Sequence, residues 1–482
     1  MKKYFTSKFL LLLIISAAIS CSKSEDIPQE LEINDFVWGG LNAYYKWQGE
    51  VPDLADNKFS TREQLNNYLA GFSSPNDLFN SLIYRPGEVD RFSWIVDDYV
   101  AHNNSLQGIR STNGMKLIGV RYSDGSGNIF IVVRDVIPGS DADTKGITRG
   151  MIINEVNGTQ LTSANVNGLL DPDSYTISLA DYNGGNPVAN GTTIDLVKEQ
   201  IQENAVKIAK VITQGANKIG YLMYNQFSTP YDGDLNNAFA TFRNEGITDL
   251  IIDLRYNGGG SVRTATYLAS MISGQPTTNV FSQQIWNDKV MNSISNRDFF
   301  LNYFTDRLRN TDANGQVIID EPINTVNLSS VYFIVTGRTA SASELVINGL
   351  LPYIDVNLVG TQTVGKQVGS ITLYDSDDYT RTGPNFNNNH TWAMQPIVLE
   401  IQNKDGQNEP NGYTPEVILE EDVANLGVLG DPTEPLLART IQYITTGSRG
   451  SSILSRSSSL QKTIWNSEMK NLDYNNMYIE LK

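Results

Sequence analysis

The chain has 482 residues, 40% of them hydrophobic and 18% charged, with a formal net charge of −17 and one cysteine. That is the composition of an ordinary globular protein, with material for roughly two to four domains. The acidic balance argues against nucleic acid and against an anionic membrane surface as partners. A lone cysteine excludes an intramolecular disulfide.

The first residues read as an export signal. Lys2, Lys3 and Lys8 give a positive start to the apolar stretch Phe9 to Ile19. A membrane-spanning helix needs roughly 20 residues, and this stretch is too short for one. Ala18-Ile19-Ser20-Cys21 is similar to a bacterial lipoprotein cleavage box. The similarity makes 1–20 a signal peptide and Cys21 a lipidated N-terminus, anchored in the cell envelope to the outer membrane, on its periplasmic or surface face. Residues 21–29 are a polar, acidic tether.

Residues 30–104 form a mostly helical N-terminal region. Ile33, Phe36, Val37, Leu41, Tyr44 and Tyr45 recur at helical spacing. Ser60-Thr61-Arg62-Glu63 and Ser74-Pro75-Asn76-Asp77 are helix starts. The aromatic-rich run Asp90 to Ile95 belongs to this subdomain, packing on the downstream part of the chain. Residues 105–204 change to a strand pattern. Lys116 to Arg121, Asn128 to Val136 and Met151 to Val156 are β-rich, and Asn157-Gly158 is a hairpin turn.

From 205 to 445 strands and helices alternate, which predicts an α/β core. Ile219 to Met223 is a strand, Asp234 to Asn244 an amphipathic helix, and Leu250 to Leu254 an apolar strand of a sheet covered on both faces. That strand runs into Arg255-Tyr256-Asn257-Gly258-Gly259-Gly260, with a helix from Ser261. Glycines at such a turn let backbone amides approach a ligand. A nucleotide loop is the competing reading, but neither its Gly-Lys-Ser/Thr end nor a G-x-G-x-x-G spacing is present.

Val331 to Val335 is the next strand. Thr339-Ala340-Ser341-Ala342-Ser343-Glu344-Leu345 comes after it, opening a helix from Glu344 to Leu351. Ser341 therefore sits at a strand-to-helix turn, where unpaired amides can face a developing negative charge. Another strand, Val356 to Gly360, leads to Thr363-Val364-Gly365-Lys366. If these two strands are neighbours, their C-terminal ends meet, where open α/β sheets hold ligands. A serine needs a base, and lysine serves only when its pKa falls from about 10.4 to roughly 7–8, a cost of about 4 kcal/mol that a dry pocket can impose. Val364, Gly365, Val368 and Gly369 suit such a pocket. Ser341-x-x-Glu344 is equally a capping box, so these residues alone leave both roles open.

Downstream, Met394 to Ile401 reads as one strand, Asp375 to Asp378 and Asn387 to Asn389 as exposed loops, and Gly430-Asp431-Pro432 as the start of a last helix through Tyr443. Residues 446–482 are a Ser-rich linker (Ser448 to Ser459) and a tail with no assigned role. The histidines, His102 and His390, come without a G-x-S-x-G elbow. No H-E-x-x-H or cysteine cluster supports a metal. Ser459-Leu460-Gln461-Lys462 matches S-x-x-K without its companion motifs.

Gly337-Arg338-Thr339-Ala340-Ser341-Ala342-Ser343-Glu344, followed by Gly365-Lys366, resembles the active-site signature of the carboxyl-terminal processing, or tail-specific, proteases. The separation of 25 residues between Ser341 and Lys366 is the spacing of that family. The resemblance implies Ser341, not Ser343, as nucleophile and Lys366 as base. Many members carry Gln four positions after the lysine, orienting it; here Ser370, with a shorter reach, holds that place. Asp253-Leu254-Arg255-Tyr256-Asn257-Gly258-Gly259-Gly260 resembles a second signature, which implies an oxyanion hole from Gly259 or Gly260 with Ala342. Gly412-Tyr413-Thr414-Pro415 resembles a further family element. Gly114 to Val197 resembles a PDZ domain, which implies capture of an extended peptide end, with Leu117-Ile118-Gly119-Val120 as the carboxylate-binding loop.

The expected fold is thus an α/β protease core, a mixed sheet with flanking helices, plus a small β-rich PDZ-like domain and a helical N-terminal region. The expected activity is that of a serine endopeptidase with a Ser-Lys dyad, acting on exported or surface proteins without cofactor or metal. Ser370 in place of Gln supports a second reading, a non-catalytic PDZ-containing surface binding protein on the same scaffold.

Overall fold

The computed structural model describes residues 27–182, 185–312, 315–449, 463–470 and 474–479. The expected signal peptide, Cys21, most of the tether, and the Ser-rich stretch from 450 through Lys462 lie outside the described residues.

The N-terminal region is helical where the apolar spacing is. Helix α1 (Glu32–Tyr44) buries Phe36, Val37, Leu41 and Tyr44. Helix α2 (Arg62–Leu69) is capped by Thr61, whose side chain accepts from the Gln64 amide at 3.2 Å. Helix α3 (Pro75–Ser81) is capped by Ser74, with Pro75 in the first turn, where its missing N–H costs nothing. Strand β1 (Trp94–Val96) and helix α4 (Tyr99–Leu106) come next. The apolar side chains of α1 to α3 belong to the same buried cluster as those of the α/β core.

A β-rich unit occupies the middle of the chain, with strands β2 (Met115–Arg121), β3 (Ile129–Val136), β4 (Ile152–Val156), β5 (Ser174–Asp181) and β6 (Val188–Val197), and the short helix α5 (Val166–Leu169). The strands lie in the order β2-β3-β4-β5-β6. Asn157 and Gly158, at φ 51° and 69°, make the tight turn after β4. This unit has its own apolar cluster, including Leu117, Ile131, Val133 and Ile153.

The core opens with β7 (Val206–Gln214), β8 (Asn217–Tyr224), α6 (Asp232–Glu245), β9 (Asp249–Asp253), β10 (Gly260–Ser261), α7 (Val262–Ser273), β11 (Val280–Trp286), β12 (Leu301–Tyr303) and β13 (Ser330–Val335). It continues with α8 (Ala342–Leu350), β14 (Asp355–Gly360), β15 (Val368–Ser370), β16 (Ala393–Gln395), β17 (Ile397–Gln402), β18 (Val417–Ile418) and α9 (Pro435–Thr446). Two further strands lie beyond it, β19 (Thr463–Asn466) and β20 (Met477–Tyr478). One sheet runs β7-β8-β9-β13-β14-β18, parallel except for the β7–β8 pair. The other runs β10-β20-β15-β17-β11-β12. Strands β13 and β14 are parallel neighbours, with Val335 beside Gly360. Their C-terminal ends therefore release the Ser341 and Lys366 loops from one edge of the sheet, as open α/β sheets do at ligand sites. No helix among the described residues is long and apolar enough to cross a membrane.

Four expectations are corrected. Met394 to Ile401 is two strands in different sheets, because Pro396 between them has no N–H for a ladder. The last helix begins at Pro435, capped by Glu434, whose carboxylate accepts from the Leu437 amide at 2.8 Å. Asp375 is not in an exposed loop: it is buried and accepts from Asn387 Nδ2 at 3.0 Å, with His390 Nε2 at 3.1 Å. The tail is not idle, since β19 and β20 each join a sheet.

Candidate active site

The turn after β13 is built by its own hydroxyls. Thr339 Oγ1 donates to the Leu254 carbonyl at 2.8 Å and accepts from the Thr336 amide at 2.9 Å. Thr336 Oγ1 bonds the Arg255 carbonyl. The Ser341 loop is thus tied to the end of β9 and its glycine turn. Asn257 locks the two together. Its carbonyl accepts from the Ala340 amide at 3.2 Å and from Ser343 Oγ at 3.0 Å. Its side chain bridges the Gly259 amide, at 2.9 Å, and the Tyr224 carbonyl, at 2.8 Å.

The two candidate serines separate on this geometry. Ser343 is spent on Asn257, whereas Ser341 Oγ is buried and makes no hydrogen bond. Ser341 holds φ 66° and ψ −117°, a conformation that costs an L-residue of order 1–3 kcal/mol and persists only where the surroundings impose it. Only half of the capping box forms. Glu344 accepts from the Ser341 amide at 2.9 Å, but Ser341 Oγ caps nothing.

Glu344 is the hub that sequence reasoning passed over. Its carboxylate is fully buried and also accepts from Thr363 Oγ1 at 2.5 Å, the Gly365 amide at 2.7 Å and the Lys366 amide at 2.8 Å. One oxygen thus serves the amides of both Ser341 and Lys366. Burial pushes this carboxyl up, and the donors hold it down. The signal in the sequence was the Ser-x-x-Glu spacing, which equally fits capping. Gly365 is needed beside it: at φ 80°, a Cβ there would lie 2.3 Å from the Pro410 carbonyl oxygen. Glu344→Gln would present an NH₂ group to donors. Each buried donor left unpaired costs about 1–3 kcal/mol, so we expect lower stability in urea and slower turnover together.

Lys366 is 1% exposed. Burial is the largest influence on its amine and lowers it from 10.5 to about 7, against the upward pull of Asp90 and Glu344 and with help from Arg91. The N-terminal region walls this amine in. Nζ sits 4.7 Å from the centre of the Phe92 ring, and Arg91 Nη2 donates to the Gly365 carbonyl at 3.2 Å. The run Asp90 to Ile95, taken from sequence as packing only, thus lines the site. Lys366 Nζ donates to the Asn475 carbonyl at 2.5 Å rather than to Ser341 Oγ, so the expected serine–lysine hydrogen bond is not formed in this arrangement.

Ser370 is corrected. It does not reach the lysine: its hydroxyl donates to the Met477 carbonyl at 3.0 Å, with Asn476 Oδ1 at 3.2 Å, because β15 pairs with β20. Of the glycines, Gly259 lies against Ser341 and Ala342. A Cβ on it would be 2.7 Å from Ser341 Cβ and 3.0 Å from the Ala342 nitrogen. The Gly260 amide donates to the Asn476 carbonyl at 2.5 Å. Ala342 is the first residue of α8, where an amide has no acceptor within its helix. Leu117, Ile118, Gly119 and Val120 are not the loop that the resemblance implied: they lie within β2, which is paired on one side with β3 and on the other with β19. His102 packs on Trp94, with ring centres 4.4 Å apart, and His390 bonds Asp375, so neither serves Ser341.

Residues 218–414 match the family model described as Peptidase family S41, and residues 32–94 match that of the Peptidase S41 N-terminal domain. The chain belongs to peptidase family S41. It is 27% identical over 335 residues to carboxyl-terminal-processing peptidase 1, chloroplastic, of Arabidopsis thaliana, which covers 66% of this chain and 58% of the relative. It is 22% identical over 244 residues to the carboxyl-terminal-processing protease of a Picosynechococcus species, covering 48% of this chain and 49% of the relative. The chain spans about half the length of the curated relatives it matches. In fold, this S41 chain is similar to a crystal structure from Bacteroides fragilis assigned to the S41 proteases, with a TM-score of 0.65, 22% identity, and 89% of this chain and 100% of that one covered.

Proposed function

We propose that this S41 chain is a serine endopeptidase in which Ser341 attacks the peptide carbonyl and Lys366 takes its proton and returns it to the leaving amine. The observation that carries the reading is a buried lysine lowered to about 7, its amide held by the same carboxylate oxygen as the amide of an unpartnered serine. A neutral amine near ambient pH is what a general base requires. Gly259 or Gly260 and Ala342 supply amides for the oxyanion. The β-rich unit acts as a PDZ-like module that takes an extended C-terminal or apolar segment of an unfolded protein on the β2 edge, through Leu117 to Val120.

The test is cleavage of an unfolded, apolar-tailed protein in long incubations, followed over pH. The lysine must be neutral, so kcat/KM should rise about tenfold per pH unit below its pKa and level off above it, a pKa of about 7. A profile flat from pH 5 to 9, or equal turnover by Ser341→Ala, ends the proposal. Binding with no turnover at any pH supports the binding-protein reading.

We place the mature chain on a membrane through lipid on Cys21. Cys21→Ala should move the protein from the membrane fraction to the soluble one. A variant that stays membrane-bound refutes the anchor.

A further inference from the structure

We propose that the tail segments 463–470 and 474–479 act as a tethered pseudosubstrate, which fills both the strand groove of the β-rich unit and the active-site cleft and keeps the site idle until displaced. The proposal rests on the protease reading above.

The first stretch behaves as a captured peptide. Strand β19 adds antiparallel to the free edge of β2, with Asn466 opposite Ile118 and Thr463 opposite Val120. Ser467 Oγ accepts from the Leu117 amide at 3.0 Å, and Trp465 Nε1 reaches Asn167 Oδ1 on α5 at 2.9 Å. Glu468 pairs with Arg134, a fully buried guanidinium of β3 that stacks 4.1 Å from the Tyr256 ring centre. Since Arg134 Nε and Nη1 make no hydrogen bond, Glu468 supplies the compensation a buried cation needs.

The second stretch lies where a substrate backbone would. Strand β20 runs between β10 and β15, and the Ile479 amide donates to the Ser370 carbonyl at 3.0 Å. Consecutive tail carbonyls meet the catalytic candidates: Asn475 takes Lys366 Nζ and Asn476 takes the Gly260 amide, each at 2.5 Å. The glycine turn is cleared for this backbone. A Cβ on Gly258 would be 1.5 Å from the Tyr474 carbonyl oxygen, and one on Gly259 would be 2.4 Å from that of Asn476. Met477 is fully buried in the main apolar cluster, and Asn476 Nδ2 donates to Gln395 Oε1 at 2.9 Å. A tail that served packing alone would have no need to occupy the base amine. Here it does so, and Ser341 Oγ is left without a partner. A tether raises the local concentration of such a segment to about millimolar. A competing substrate is then an unfolded segment that extends as a strand and offers an apolar side chain where Met477 sits.

The test keeps the full chain. A recognition sequence for a site-specific protease is placed between Arg449 and Thr463, and the chain is nicked after folding. Removal of the tail, checked by mass, should raise kcat/KM about tenfold or more, and a synthetic peptide of residues 463–482 should reverse this mainly through KM. An unchanged or lower kcat/KM in the tail-free protein overturns the proposal. If the tail stays bound after nicking, Met477→Asp in the unnicked chain decides: activation supports the proposal, and unchanged turnover overturns it. Binding of labelled 463–482 peptide to the tail-free Ser341→Ala chain separates the two claims. Peptide binding with no turnover in any form removes the protease reading and leaves the tail docked. Normal turnover with no peptide binding removes the tail's role alone.

Discussion

Lys366→Met should lower kcat on an unfolded, apolar-tailed substrate by on the order of 10⁴-fold while making the protein more stable at pH 6. Methionine keeps the volume and packing of the side chain but cannot take a proton, so the loss of turnover is direct. The stability gain comes from linkage. The folded-state pKa of Lys366 is lowered from 10.5 to about 7. Between those values the unfolded chain holds a proton that the folded one does not, so wild-type stability rises with pH across the window. Below it the folded protein carries a buried ammonium at a cost of roughly 5 kcal/mol. Losing the bond to the Asn475 carbonyl returns about 1 kcal/mol of that. The advantage of the methionine variant in urea should therefore be largest at pH 6 and shrink toward pH 10. Ser341→Ala should match the loss of turnover without the stability gain. A Lys366→Met protein that still turns over, or is less stable than wild type at pH 6, contradicts the neutral-base assignment.

Arg255→Met should destabilise the chain by about 3–5 kcal/mol, the usual consequence of stripping one partner from a buried ion cluster. Arg255 is fully buried at the end of β9, with Asp253 at 2.7 Å and Glu434 at 2.7 Å. Tyr221 OH also donates to Asp253 at 2.8 Å. Glu421 lies 3.3 Å from Arg255 and 2.8 Å from Arg149. Burial pushes the Glu421 carboxyl up, but the two guanidinium groups outweigh it and hold it at about 2. Without Arg255, Asp253 and Glu434 face each other in a dry interior. Burial already holds the Asp253 carboxyl above its ordinary value against the pull of Arg255, and losing the guanidinium raises it further, a penalty present at neutral pH and lost as that carboxyl protonates. The gap between variant and wild type in urea should narrow from pH 8 to pH 5.5. A constant gap would mean that packing rather than charge was lost. Turnover should fall as well, because Arg255 leads into the glycine turn and its carbonyl anchors Thr336.

Much of the site was legible where the signal was local. The strand ending at Val335, the helix beginning after Ser341 and the glycine turn after Asp253 are each written within a few consecutive residues, and each formed. Ser341 and Lys366 stood out because a fixed separation and matching flanks together make a specific signature, and the structure releases their two loops from neighbouring parallel strands. Glu344 was half legible. Its spacing from Ser341 pointed to capping, and only the return of the 363–366 loop makes it the carboxylate that holds both amides. Ser370 was singled out because it stands four positions after Lys366, where the resembled family carries Gln, while strand pairing turned its hydroxyl to β20.

By itself, the order of residues determined where most helices and strands of the core lie, since those depend on neighbours in the chain. Two matters were decided only by the assembled protein. The lysine's proton affinity depends on burial, to which Phe92 contributes from more than two hundred residues away in the chain. The seat of Met477 depends on backbone pairing with β10 and β15, and backbone groups are the same in every residue, so no side-chain pattern could announce it.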